Sequence, residues 1–229
     1  MEATAQSFPM AMGLALSPLP VAAILMLLMT NRARTNAMAF LLGWVLGLLL
    51  VGVIVFLIPA SQTERGAPTV AAGYLRIGIG VLLLYLAAMQ WRNRPGPADV
   101  VEVPKLLAGL DTFNGPKSLL TGVLMVVVNP KNLLLCAAGA AAIDLNTPNL
   151  WLQFGAYAVF TLIASSTVAI PVISYFLARE KAEILFESWK DWLIRNNQSI
   201  LSVILLLLGI VLLSRGIEFS GLLTSGGAQ

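Results

Sequence analysis

Apolar residues do not alternate with polar ones along this chain; they come in six long runs set apart by short polar stretches. A bilayer core is crossed by a helix of about 20 predominantly apolar residues. The runs at 8–30, 36–59, 69–91, 118–142, 150–177 and 199–215 are near or above that length. They predict an all-α integral membrane protein of six transmembrane helices in a single membrane domain. The fifth run is the longest and is expected to tilt or break at Pro171, while ILSVILLLLGIVLL in the sixth is the least ambiguous. One stretch follows another period. In REKAEILFESWKDWLIRN, Ala182, Leu185, Phe186, Trp189, Trp192 and Leu193 recur at helical spacing opposite Glu183, Glu187, Lys190 and Asp191. That pattern predicts an amphipathic helix over 179–196, either lying along the membrane interface with its tryptophans at headgroup depth or packed as a linker against neighbouring spans.

Composition agrees with this class. The 229 residues are 58% hydrophobic and 11% charged, with a mean hydropathy of +0.86, against about 25% charged in a soluble domain. There is no histidine and one cysteine, Cys136. A histidine base, the usual zinc ligand sets, a disulfide framework and a Cys-x-x-Cys pair are therefore all lacking. The reading is of a protein that is not an enzyme and takes no cofactor or metal. The opening MEATAQSFPM carries no Lys or Arg, so the first run is expected to be retained rather than cleaved as a signal.

The net charge of +3 does not indicate nucleic acid; its distribution is what carries information. Arg32, Arg34, Arg92, Arg94, Lys105, Lys117, Arg179, Lys181, Lys190 and Arg195 all fall in loops on one side. Arg65 and Arg215 lie opposite, and Arg76 and Lys131 fall inside spans. Cationic loops stay in the cytoplasm, so both termini are expected outside it.

One register of the chain on itself aligns residues that matter to the backbone. Pro18 and Pro130 lie 112 positions apart, as do Gly43 and Gly155, and Pro59 and Pro171. Three spans is an odd number, so a repeat of 8–91 in 118–215 would be inverted across the membrane. An inverted 3+3 repeat places the binding site where discontinuous helices meet near the midplane.

Those discontinuities fall in ALSPLPVAA and VVVNPKNLL. Each proline removes a backbone donor and leaves polar groups to be satisfied, with Ser17, Asn129 and Asn132 at hand. Pro18 and Pro20 by themselves suit a structural kink. Lys131 does not, because an ammonium at the bilayer centre costs about 2.5–3.5 kcal/mol on insertion scales. No Asp or Glu lies within the six runs, and Asp144 is about three turns away along the helix. Carbonyls freed by the breaks, a neutral amine, or an anion that comes and goes are the remaining partners. Arg76 is a second embedded cation, better placed to reach an interface. Ser165, Ser166 and Thr167 put hydroxyls at similar depth, although such hydroxyls commonly bond their own helix.

NPKNLLL followed by AAGAA, the preceding GLDTFNGPKSLL, and SPLPVAAILMLL together resemble the GAP family of peptidoglycolipid-addressing proteins, which includes the sulfolipid-addressing proteins. The resemblance runs from the first span to the last. It implies membership of the lysine-exporter (LysE-type) superfamily and a place in the bacterial inner membrane. The implied function is outward movement of complex envelope lipids, where the wider superfamily exports amino acids and other small solutes. Matching the motifs singles out Asn129, Pro130, Lys131 and Asn132, then Ser17, Pro18 and Pro20. The expected partners are membrane lipids and an anionic lipid or small-molecule substrate, with a homo-oligomer or an envelope-lipid export machinery as further candidates. A non-transporting assembly factor that docks through 179–196 is the rival of a different class.

Overall fold

The computed structural model describes residues 2–57, 70–96, 99, 109–147, 149–177 and 179–220. It is all-helical, and no β-strand occurs among the described residues. In chain order the helices are α1 (Glu2–Ala15), α2 (Pro18–Leu28), α3 (Ala33–Leu57), α4 (Val70–Arg92), α5 (Gly115–Val127), α6 (Pro130–Asn146), α7 (Leu150–Leu177) and α8 (Arg179–Ser220). A short 3-10 turn, Leu110–Thr112, precedes α5 behind Gly109, whose φ of 78° suits a residue without a Cβ.

Among the described residues, three helical stretches are long and apolar enough to cross a membrane: Ala33–Leu57, Leu150–Leu177 and Ser188–Glu218. Two bent pairs, Ser7–Ala15 with Pro18–Leu28 and Gly115–Val127 with Pro130–Asp144, raise the number to as many as five. Ile77–Arg92 is a shorter apolar helix. The chain is thus a multi-pass membrane protein, with three to five such crossings among the described residues by length and composition.

The helices group into two units. The first takes in Met1–Pro59 and Val101–Arg195. Its core holds the fully buried Phe40, Trp44, Leu48 and Phe160. Hydrocarbon supplies no hydrophobic drive between helices, so close backbone approach at small residues does the packing. A Cβ on Gly43 of α3 would overlap the Leu119 carbonyl of α5, and one on Gly122 of α5 would lie 2.7 Å from the Trp44 nitrogen of α3. Further along α3, Gly52 admits the ring of Tyr157 from α7. The Tyr157 hydroxyl donates to the Leu48 carbonyl at 2.6 Å and lies 3.0 Å from the Cys136 sulfur of α6. The lone cysteine is therefore a buried packing element here.

The second unit takes in Ala60–Val100 and Asn196–Gln229. Within it α4 and the end of α8 run antiparallel, face to face through glycines seven residues apart on each helix. Gly80 meets Gly209 and Leu213, and Gly216 meets Gly73 and Ile77.

Two expectations change, and one aligned pair proves unlike in its surroundings. The amphipathic stretch and the last run are not separate helices: α8 is continuous from Arg179 to Ser220. Between 179 and 199 there is no glycine or proline to stop backbone bonding. Nor does α7 break at Pro171, which sits buried inside one continuous helix; the missing N–H frees one carbonyl without interrupting the turns on either side. Finally, Gly43 and Gly155 differ in packing, since Gly155 faces open space. Pro59 lies outside the described residues.

Candidate functional site

Both interruptions begin in the same way. A helix ends, one residue makes a turn, a polar residue caps the next helix, and proline takes its first position, where the absent N–H costs nothing. Ser17 caps α2 with φ −77° and ψ 110°, and Asn129 caps α6 with φ −78° and ψ 111°. The Leu16 nitrogen bonds the Met12 carbonyl at 2.9 Å, and Val128 bonds Leu124 at 2.8 Å. Each of these pairs of residues is related by the 112-position register. The bends differ, 43° at the first interruption and 70° at the second.

The last four carbonyls of a helix lack partners within it. For α1 those are Met12, Gly13, Leu14 and Ala15, and each is satisfied. Met12 and Leu14 accept from the Leu16 and Ser17 backbone. Gly13 accepts from the Lys131 amine at 3.1 Å, and Ala15 from the Thr167 hydroxyl at 2.5 Å. The broken end of α1 is thus held by one side chain from α6 and one from α7.

The second break is served in the same manner. Met125, equivalent to Gly13 in the register, accepts from the Asn132 amide at 2.8 Å. The Asn132 carbonyl oxygen in turn accepts from the Ser17 hydroxyl at 2.7 Å, so the two breaks are tied directly. Asn132 is fully buried and Ser17 nearly so. Asn129 closes its own cap by accepting from the Lys131 backbone N–H at 3.1 Å. Ser17 makes no such cap bond; its hydroxyl donates to Asn132 instead. Pro18 and Pro20 are buried on the first turn of α2, while Pro130 is exposed on the first turn of α6.

Lys131 is half-buried, and among the described residues its amine has one partner, a neutral carbonyl. An ammonium carries three donors and a full charge. An ion pair among the described residues, Lys190–Asp191, lies away from this lysine in sequence. Asp144, the nearest acid along the helix, accepts instead from Gln153 at 2.9 Å. Among the described residues no group of three or more His, Cys, Asp or Glu could hold a metal ion.

The structure therefore brings together Ser17, Pro18, Pro20, Asn129, Pro130, Lys131, Asn132 and Thr167. Ser166 is not part of this set; its hydroxyl bonds the Ile163 carbonyl of its own helix at 2.8 Å. Ser165 is buried, with no partner for its hydroxyl among the described residues. The Arg76 side chain lies outside the described residues. Thr161, one turn before Ser165 on the buried face of α7, is a second buried hydroxyl without a partner, and sequence reading passed over it. Gly13, Ala15 and Met125 were missed as well, because they act through backbone carbonyls. The signal was their position in the last turn before each proline.

Fold and site together define a helical membrane protein in which two interrupted helices meet over a lysine with no carboxylate among the described residues. The sequence matches the family described as Sap, sulfolipid-1-addressing protein, over residues 8–218, and the chain belongs to that family. Neither a curated protein nor a solved structure matches it.

Proposed function

We propose that this protein is an exporter of the bacterial inner membrane, not an enzyme, and that it moves an anionic envelope lipid or lipid-like molecule outward. The observation that carries the reading is the Lys131 amine, held between two helix breaks and bonded, among the described residues, to the Gly13 carbonyl alone. A neutral carbonyl orients an ammonium without neutralising it. A carboxylate, sulfate or phosphate would be drawn to that charge and would take up its free donors. The unpartnered hydroxyls of Thr161 and Ser165 supply further donors on α7. An amino acid or other small anion would meet the same groups, so size rather than charge separates the two substrate classes.

The matched caps at Ser17 and Asn129 support a LysE-type inverted repeat of six spans, and the basic loops support both termini outside the cytoplasm. The packing supports it too. Helix α3 packs on α2, α5 and α6, and α7 packs on α6, α1 and α2, which is the same set with the halves exchanged. Rocking of one repeat against the other would expose the site to each side in turn. Such rocking must break the bonds that cross between the breaks, Ser17–Asn132 and Lys131–Gly13.

Proteoliposomes test the reading. The purified protein is expected to speed passage of a labelled anionic lipid between leaflets, and Lys131→Gln to remove that activity. A protein that inserts correctly and moves nothing by itself would favour the assembly factor.

A further inference from the structure

A second feature lies apart from the helix breaks, where α3 and α5 begin. A cleft of about 730 Å³ runs there, its walls made by Met38 and Leu42 of α3, Leu119 of α5 and Phe176 of α7. Arg34 stands at one end beside the first residues of α5. Among the described residues the lining is apolar apart from Arg34 and Thr35 and contains no acid. Residues 34, 38 and 42 recur every four positions, so the cleft follows one stripe of α3 for about 12 Å, at about 1.5 Å per residue. Met38, Leu42 and Phe176 are each 43–54% exposed although large and apolar.

Among the described lining residues the charge at the mouth is of one sign. The Arg34 guanidinium rests 5.7 Å from the centre of the Phe176 ring, which fixes its direction without neutralising it. Helices α3 and α5 both start here, at Ala33 and Gly115, so two helix dipoles add positive potential at the same end. The positive loops predict that this end faces the inner leaflet.

We infer that the cleft is a binding site for one anionic phospholipid of the surrounding leaflet, its phosphate at Arg34 and an acyl chain along Met38, Leu42 and Phe176. A positive mouth over an apolar trough about two helical turns long complements an anionic headgroup and the upper part of a chain. The site is separate from Lys131 and does not depend on the protein being an exporter.

The test uses the full chain in mixed micelles, with native mass spectrometry after addition of phosphatidylglycerol or phosphatidylcholine of equal chain length. The wild-type protein should retain phosphatidylglycerol about five-fold better, the preference that one basic residue near a membrane surface confers. Arg34→Gln should lower the ratio to about one, and Met38→Trp, which fills the trough, should reduce retention of both lipids. Arg32→Gln removes an equal charge from the same loop outside the cleft and should keep the preference. Equal retention by wild type and Arg34→Gln, or equal loss in Arg32→Gln, would overturn the assignment. Lys131 is intact in all of these variants, so the difference between Arg34→Gln and Arg32→Gln is read independently of the transport result.

Discussion

The Ser17–Asn132 bond joins two halves of the chain, and a double-mutant cycle can weigh it. Ser17→Ala leaves the Asn132 oxygen without its donor, whereas Asn132→Leu abandons both the Ser17 hydroxyl and the Met125 carbonyl. All three groups are out of contact with water, where an unsatisfied polar group costs about 1–3 kcal/mol. Hydrogen bonds between membrane helices measure less, about 0.6 kcal/mol on average and up to about 1.7. We therefore expect Ser17→Ala to cost about 1 kcal/mol and Asn132→Leu about 2. The double variant should cost about 1 kcal/mol less than the sum, because the shared bond is lost in both singles. Reversible unfolding in mixed micelles, followed by the fluorescence of the five tryptophans, gives all four corners. Additivity within about 0.3 kcal/mol, the behaviour of distant sites, would refute a direct link between the breaks.

Three further outcomes follow from the packing. Gly122→Leu should prevent α3 and α5 from meeting and abolish recovery of folded protein, whereas Gly155→Ala, in open space, should leave thermal stability within about 0.5 kcal/mol of wild type; gel-filtration yield and melting curves report both. Tyr157→Phe deletes the donor to the Leu48 carbonyl and should cost about 1 kcal/mol in the same unfolding assay. Thr167→Val frees the Ala15 carbonyl at the broken end of α1, and faster amide hydrogen exchange at 16–17 is the expected sign, with exchange at the α6 cap unchanged.

The sequence disclosed the helices well and their contacts hardly at all. Prolines at 18 and 130 marked both interruptions because a residue without an N–H leaves a fixed local signature. Lys131 stood out because its cost in hydrocarbon is large whatever surrounds it. Its partner could not be read, since Gly13 offers a carbonyl that every residue has, and only the fold shows which carbonyl is near. For the same reason Ser17 could be read as a polar group beside the break, but its bond to Asn132 could not. The continuity of α8 was hidden by a change of hydrophobic period near 199, which alters what a helix faces without ending it. Gly43 and Gly155 show the converse: equal positions in the register, with a neighbouring backbone beside one and nothing beside the other.

The central claim is that the Lys131 charge receives an anionic group on its way out of the cell. The most direct measurement compares the outer-surface lipids and secreted metabolites of three strains by mass spectrometry: the parent, one lacking this protein, and one whose sole copy carries Lys131→Gln at parental membrane abundance. The account predicts that the Gln strain and the deletion lose the same species. A Gln strain with the parental profile would contradict it.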